Sequence, residues 1–502
     1  MEARLWNRVS VLLDSGQLWE AIEAADSRFD GWVFCGVTST GIYCRPGCPA
    51  RTPKRSNVRL FATAAAAQLA GFRACKRCRP DAAPGSPEWD RRADLVGRAM
   101  RLIADGVVDR EGVRGLSQRL GYTERHVHRQ LVAVTGAGPL SLARAQRAQS
   151  ARILLETTTL PITEVAFAAG FRSVRQFNAT VREVFARSPS GLRDRAKGQP
   201  GAGGPLLLRL PYRQPFDAAA VFAFLGARAV PGVEELSADA YRRSLRLPNG
   251  AGIVELRPGE DFVDARFWLS DLRDLGAAMQ RSRALLDLDS DPRMVVEALA
   301  GDPLIGSLVR EAPGRRVPGS VDGDELAVRA LLGQQVSLSA ASTHAGRMTA
   351  DLGEELAAPI GGVTHLFPSM AALAEADPAR IGLPNTRRRA LFALVAAAND
   401  GEIVLDAGAE RAEVRRRLLE LRGIGPWTVE YIAMRGLRDP DAFLASDLGV
   451  RKALVALGQS PEPAAAERLA ERWSPYRAYA VQHLWASLGP PPKRARAAGL
   501  SP

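Results

Sequence analysis

Cysteine is scarce in this chain of 502 residues, and it is confined: all five lie between positions 35 and 78. A set so local and so uneven excludes an ordinary disulfide framework. Long apolar runs are missing too. No stretch reaches the roughly 18 consecutive apolar residues of a membrane-spanning helix. The opening MEARLWNRVSVLLDSG has no apolar core of a secretion signal, and neither a lipid-anchor motif nor an isolated basic amphipathic helix is present. These absences lead to the expectation of a cytoplasmic protein with no membrane partner. Net positive charge is absent from the C-terminal three fifths: residues 201–502 carry 36 basic and 37 acidic side chains, whereas residues 1–200 carry 31 and 18. The whole formal excess of +12 therefore sits in the first 200 residues. That points to a polyanion and, without membrane signals, to nucleic acid. The length suits about three or four domains, because single cores divide beyond roughly 250 residues.

What cysteine there is forms a pattern. FCGVTSTGIYCRPGCPARTPKRSNVRLFATAAAAQLAGFRACKRCRPD holds Cys44 and Cys48 as C-x3-C and Cys75 and Cys78 as C-x2-C, with 26 residues between the pairs. Each pair reaches two vertices of a tetrahedron from one turn, and the intervening loop closes the cage, as a Zn²⁺ site requires. Four thiolates leave such a centre at a net charge of roughly −2, which the basic residues of RPGCPARTPKR and CKRCR moderate. Cys35, outside both pairs, reads as a buried small side chain. A structural zinc knuckle is one reading. A chemical one also stands, since a zinc-bound thiolate stays deprotonated and nucleophilic at neutral pH and arginines bring a DNA phosphate to it. YCRPGC and GFRACKRC resemble the N-terminal metal-binding domain of the bacterial adaptive-response (Ada) regulator of alkylation damage, over about residues 20–82. The resemblance implies that Cys44 accepts a methyl group from a methylphosphotriester, with Cys48, Cys75 and Cys78 completing the zinc site. It also implies a switch, because thioether formation removes one negative charge facing DNA.

After the breaker-rich RPDAAPGSPEWD, a helical pattern runs from near Arg91 to about Arg195. VRGLSQRLGYTERHVHRQLVAVTG places a turn at Gly121 and a second helix from Thr123 carrying Arg125, His126, His128 and Arg129. PITEVAFAAGFRSVRQFNATVREVF repeats the plan: a helix over 162–169, a turn at Gly170, and a second helix from Ser173 with Arg175, Gln176 and Asn178. Glycine permits the crowded turn, and the polar residues of each second helix suit the major groove. His126 and His128, two apart on a helix, point in different directions and do not form a metal site. The pair of units resembles the DNA-binding domain of the AraC family of regulators over about 88–195, which implies promoter DNA and RNA polymerase as partners.

RDRAKGQPGAGGP reads as a flexible linker. Beyond it LLLRLPYRQPF, AYRRSLRLPNGAGIVELRPG and FVDARFWLSD have a short β pattern broken by Pro-Asn-Gly, indicating a small antiparallel sheet. From about 284 the chain returns to helices, and 324–353 reads as one long helix or two adjoining ones. LRGIGPWTVEYIAMRG is a tight turn between helices: Gly423 and Gly425 clear side chains from a surface of backbone N–H groups that suits a phosphate, with a bridging cation. This helix-hairpin-helix element also occurs in ligases, polymerases and nucleases. In FLASDLGVRK, Asp447 lies among Leu444, Ala445 and Leu448, where a partly buried carboxylate faces a pocket, while Asp439 and Asp441 read as ordinary loop and cap residues. Such a carboxylate stabilises the oxocarbenium character that develops as an N-glycosidic bond breaks, and aromatic rings hold a cationic base by stacking.

LRGIGPWTVEYIAMRG, DAFLASDLGVRKAL and WSPYRAYAVQHLW resemble the 3-methyladenine DNA glycosylase II (AlkA-like) family, across about 205–490. The resemblance implies Asp447 as the catalytic aspartate, Trp427, Tyr431 and Trp485 as the base pocket, and Gln335 of LLGQQVS near the element that wedges into the duplex. A polar Gln departs from an apolar wedge. Some relatives carry a lysine after the hairpin and cut the strand through it. Trp427 stands there in this chain, so base release without strand cleavage is expected. No cysteine follows Cys78 and no Pro-Cys-His-Arg motif exists, which excludes the regulator's usual O6-methylguanine reversal.

The expected architecture is multidomain. A small α/β zinc domain built on four cysteines (1–85) precedes an all-α double helix-turn-helix domain (88–195) and a linker (196–205). A small antiparallel α+β subdomain (206–283), an all-α helix-hairpin-helix glycosylase domain (284–490) and a tail (491–502) follow. The expected function is DNA-alkylation repair joined to transcription regulation, on double-stranded DNA at both damaged sites and promoters. Two alternatives remain at the level of sequence: an activator whose C-terminal part binds DNA without breaking a glycosidic bond, and a zinc-and-DNA scaffold without chemistry.

Overall fold

The computed structural model describes residues 15–82, 86, 87, 92, 94–193 and 204–489. The first 14 residues, most of the expected linker (196–203) and the tail 491–502 lie outside the described residues. Strand pairing explains how two distant cysteine pairs meet. β1 (Phe34–Val37), β2 (Ile42–Cys44), β3 (Val58–Phe61) and β4 (Arg73–Ala74) form a sheet in the order β3-β1-β2-β4. β2 and β4 run parallel, Ile42 beside Arg73 and Tyr43 beside Ala74. Each strand ends at or just before the first cysteine of its pair, so both pairs emerge from the same end of the sheet. The 26-residue loop is no idle spacer, for it supplies β3 and the helix Ala64–Leu69 that return the chain for that parallel pairing.

The helix-turn-helix units follow the sequence closely. Gly121 and Gly170 take the left-handed backbone the turns demand, at φ 77° and 82°. Thr123 caps the helix Glu124–Thr135 by accepting from His126 N, and Ser173 caps Val174–Phe185 by accepting from Gln176 N. The preceding stretch Val107–Leu120 is interrupted at Gly112 (φ 71°, ψ −175°), so the first helix of the leading unit is effectively 113–120.

β5 (Leu206–Pro211), β6 (Glu234–Leu236), β7 (Tyr241–Arg246), β8 (Ala251–Pro258) and β9 (Phe262–Leu269) form an antiparallel sheet in the order β5-β9-β8-β7-β6. Pro248-Asn249-Gly250 makes the β7–β8 turn. The region 324–353 resolves into two helices, Gly323–Leu332 and Leu338–Leu352. To the helices beyond 284 the structure adds a hairpin, β10 (Glu354–Ile360) and β11 (Val363–Leu366), which packs on the sheet through Ile253, Leu356, Val363 and Leu366. One core runs from Phe34, Tyr43 and Phe61 of the cysteine unit through Leu154, Phe177 and Phe185 to Tyr241, Leu256 and Phe267 of the second sheet. The front and back of the chain thus share buried apolar surface. Among the described residues no helix is long and apolar enough to cross a membrane.

A buried ionic cluster joins the second sheet to the helices. Glu234 receives Arg243 at 3.0 Å, Arg329 at 3.0 Å and the Tyr241 hydroxyl at 2.6 Å, and Glu325 pairs with the same two arginines. Burial alone would raise the Glu234 carboxyl, but Arg329 and Arg243 outweigh it and bring it down to about 2. Glu234→Gln would leave two buried guanidiniums short of counter-charge, at a cost of about 3–5 kcal/mol at neutral pH. Because its folded pKa lies below the free value of 4.5, this contribution is complete above that pH and is lost as pH falls towards about 2. Denaturant titrations of both proteins should therefore show the difference between them narrowing across that window.

Candidate functional site

The four sulfurs of Cys44, Cys48, Cys75 and Cys78 lie within 4.8 Å of one another, which fits a tetrahedron whose edges are roughly 3.8 Å at Zn–S distances of about 2.3 Å. Among the described residues no other group of three or more His, Cys, Asp or Glu side chains converges in this way. Hydrogen bonds to Cys48 and Cys78, together with burial, drive the Cys44 thiol far above its ordinary pKa, a crowding that a dication relieves. The donor set therefore fits zinc. Cys75 and Cys78 are buried while Cys44 and Cys48 keep partial exposure. Both border a cleft of about 450 Å³ that Arg45, Arg51, Arg73, Lys76 and Arg77 also line. Cys35 pairs across the sheet with Cys44 but is buried, and burial pushes its thiol up to about 12.

Arg125 and Arg129 are exposed one turn apart on Glu124–Thr135; Arg175 and Gln176 are exposed and Asn178 half-buried on Val174–Phe185. His126 stacks on Tyr122 with ring centroids 5.0 Å apart, whereas His128 lies against Gly138, so the two histidines diverge.

At the back of the chain, Asp447 is the N-cap of the helix Leu448–Ala456. Its Oδ1 accepts from Val450 N at 2.9 Å and Trp485 Nε1 at 2.8 Å, and its Oδ2 accepts from Trp427 Nε1 at 2.8 Å. Three donors from three elements fix the carboxylate between two indole rings. Trp427 stacks on Tyr431 at 5.2 Å with 13° between planes, and Trp485 faces Phe224 at 6.2 Å and 22°. The four residues expected here, Asp447, Trp427, Tyr431 and Trp485, do converge. Phe224, on the helix Ala218–Gly226, and Arg228 just beyond it lie against this cluster, with the Arg228 guanidinium 3.6 Å from the Phe224 ring centre and 6.0 Å from that of Trp485. Their signal in the sequence was only an aromatic and a cation one helical turn apart. Arg435 donates to the Tyr431 hydroxyl at 2.8 Å. Burial would raise the Tyr431 phenol, but Arg435 and Arg228 prevail and bring it down to about 8.

The hairpin Leu421–Gly425 leads into the helix Pro426–Arg435. Gly423 has φ +97°, and a Cβ there would come within 2.9 Å of Ala390 Cβ; a Cβ at Gly425 would meet nothing. Gly423 is required by the fold, while Gly425 keeps an outward face bare. Gln335 sits exposed in the loop between Gly323–Leu332 and Leu338–Leu352, in the left-handed region at φ 54°. Its neighbour Gln334, which sequence reasoning passed over, donates to Gly423 O at 3.2 Å and Thr428 Oγ1 at 2.9 Å, tying that loop to the hairpin.

Asp439 and Asp441 are more than loop decoration. Asp439 pairs with Arg415 at 2.8 Å and Arg411 at 3.6 Å, and Asp441 grips Arg477 through both oxygens at 2.9 Å. Asp439→Asn should cost about 1–3 kcal/mol of stability because it removes the carboxylate that Arg411 and Arg415 share, while Arg415 keeps Glu430 at 2.7 Å, with excision by the folded protein unchanged. Thermal melts read alongside single-turnover assays separate the two effects.

The family model described as the metal binding domain of Ada matches residues 17–81, a helix-turn-helix domain matches 116–195, and the AlkA N-terminal domain matches 207–322. A Mycobacterium tuberculosis protein named "Probable bifunctional transcriptional activator/DNA repair enzyme AlkA" is 55% identical over 482 residues, 95% of this chain and 97% of that protein. DNA-3-methyladenine glycosylase 2 of Escherichia coli is 34% identical over 291 residues, 57% of this chain and 99% of that protein. The 3-methyladenine DNA-glycosylase structure from Archaeoglobus fulgidus superposes with TM-score 0.50 at 21% identity, over 55% of this chain and 97% of that one, a likeness of fold.

Proposed function

The chain belongs to the family that fuses an Ada-type zinc and helix-turn-helix region to an AlkA-like glycosylase region, and from that premise we propose a two-chemistry DNA-alkylation repair protein. In the back half, Asp447 is the catalytic carboxylate. A methylated purine turned out of the duplex enters between the rings of Trp427, Tyr431 and Trp485, where stacking and cation–π attraction hold it. As the C1′–N bond breaks, its electron pair leaves with the base, and the fixed charge of Asp447 faces the cation developing on the sugar. Water then adds to C1′ and gives up its proton to solvent, leaving a hydroxyl on the sugar. Trp427 occupies the place an amine nucleophile would need, so the backbone stays intact. Gly423 and Gly425 offer hairpin N–H groups to a phosphate, and Gln335 fills the gap left in the stack.

In the front half, Cys44 is the acceptor. Zinc, when bound, keeps the four sulfurs ionised. The Cys44 sulfur attacks the methyl carbon of a methylphosphotriester, an S–C bond forms, and the C–O bond breaks with its electrons remaining on the phosphate oxygen. Arg45, Arg51, Arg73, Lys76 and Arg77 would hold that phosphate. Arg125, Arg129, Arg175, Gln176 and Asn178 read promoter DNA from the two helix-turn-helix units, bringing RNA polymerase to it. The observation that supports the glycosylase reading is the carboxylate of Asp447 held by the indole N–H groups of Trp427 and Trp485. Incubating the protein with N-methylated DNA and assaying free base tests it. Absence of released base would favour an activator that binds DNA without glycosidic cleavage.

A further inference from the structure

The cysteine loop and the catalytic carboxylate belong to different halves of the chain, yet polar contacts join them. Asp30, buried beneath the Cys44–Cys48 loop, accepts from Gly47 N at 2.8 Å and pairs with Arg45 at 2.9 Å. Only glycine allows the loop to seat this closely, since a Cβ on Gly47 would lie 2.6 Å from the Ser27 Cα. The carbonyl of the same Asp30 accepts from Arg213 of the glycosylase half at 2.5 Å, and Arg213 also donates to Asp289 O at 2.9 Å. Arg316 braces the junction by donating to Arg213 O at 2.7 Å and Ser290 Oγ at 2.8 Å. Trp32 Nε1 reaches Asp291 at 3.2 Å, and the Arg293 guanidinium lies 4.7 Å from the Phe29 ring. From the 287–291 turn, Asp287 accepts from the Tyr479 hydroxyl at 2.8 Å. Tyr479 lies on the helix Arg477–Ser487, which also carries Trp485, the donor to Asp447.

We propose that this route, from the Cys44–Cys48 loop through Asp30, Arg213, the 287–291 turn and Tyr479 to Trp485 and Asp447, lets the state of the cysteine site regulate base excision. The proposal rests on the two-chemistry reading above. The loop has a physical reason to change. Arg45, next in the chain to the ligand Cys44, pairs with the buried Asp30 carboxylate, and Gly47 of the same loop donates to it, so altering the cluster's charge, or removing its metal, shifts the loop that makes both contacts. Arg213 has few alternatives: burial, its largest influence, lowers its guanidinium to about 10 against the pull of Asp291 and Asp289. A guanidinium so enclosed must follow its acceptors if they shift. Coupling of this kind is reciprocal, so binding at the glycosylase pocket would in turn alter retention of the metal.

Hydrogen exchange on the full-length zinc-loaded protein, before and after metal removal by a chelator, tests the route. In the wild type, exchange should accelerate about fivefold or more in 287–291 and 476–487 as well as in 44–48, while the helix Asn385–Asn399, which carries no residue of the route, serves as reference. In Tyr479→Phe, which keeps the ring and removes only the hydroxyl, the acceleration should reach 287–291 and stop before 476–487. In Arg213→Met, which leaves the Trp32–Asp291 and Phe29–Arg293 contacts in place, it should be weaker in both distant segments than in the wild type; if that variant does not fold, Tyr479→Phe carries the test. Wild-type rates in 287–291 and 476–487 that ignore the metal would overturn the proposal, as would a Tyr479→Phe response matching the wild type. Single-turnover base release, measured in parallel, should fall about fivefold or more on metal removal in the wild type and change little in Tyr479→Phe. Excision that ignores the metal in the wild type would also overturn it. Failure of the underlying reading shows separately, as Asp447→Asn excising at the wild-type rate.

Discussion

Asp447→Asn should bind lesion DNA but release base about 10²–10³ times more slowly, a loss of roughly 3–4 kcal/mol of transition-state stabilisation. The substitution keeps the side chain's size and one acceptor oxygen, so the Val450 N–H can still be capped. Two consequences follow from the geometry. The negative charge facing the developing sugar cation disappears. In addition, Asp447 satisfies three donors with two oxygens, and an amide offers one oxygen and an N–H₂ group that must confront an indole N–H of Trp427 or Trp485 at a 2.8 Å spacing. The pocket walls should therefore loosen as the chemistry slows, and indole fluorescence should shift in the variant. Single-turnover assays at saturating protein read the chemical step. A variant that excises at the wild-type rate would move the catalytic carboxylate elsewhere.

Cys44→Ala should abolish methyl uptake from methylphosphotriester DNA, from one methyl group per chain to none, while base excision persists at the reduced level set by a weakened metal site. Cys44 and Cys48 are the two ligands partly exposed to the basic cleft, and likeness to the metal binding domain of Ada assigns the acceptor role to Cys44; Cys75 and Cys78 are buried. Peptide mapping after incubation locates the methyl. Its appearance on Cys48, Cys75 or Cys78 in the wild type would contradict the assignment. Metal content of the variant should fall as well, since three thiolates hold zinc less completely than four.

Much of this was legible because it is local. The cysteine spacing, the turn glycines Gly121 and Gly170 with their caps Thr123 and Ser173, and the hairpin Leu421–Gly425 are short-range necessities of backbone geometry. They appear in sequence as residue types at fixed offsets. Asp447 and its indole partners were legible through resemblance, although their hydrogen bonds were not. What could not be read was placed by tertiary packing. Phe224 and Arg228 lie more than 250 residues before Trp485, the ring they join, and a helix of nine residues rich in alanine and phenylalanine announces a buried face without naming what covers it. Asp439 looked like a loop residue because its arginine partners sit on another helix. The hairpin Glu354–Leu366, short and interrupted by proline, carries too weak an alternation to stand out from its helical surroundings.

The central claim is that one chain performs two chemistries on alkylated DNA, at Asp447 and at Cys44. The most direct measurement uses duplex DNA carrying isotopically labelled methyl groups on both purine nitrogens and phosphates, followed through one turnover with the full-length protein. The account predicts label in two places: free methylated purine, with the DNA strand uncut, and a single methyl on the Cys44 peptide. Label that stays in the DNA, or that leaves only as cut strand fragments or on another cysteine, would contradict it.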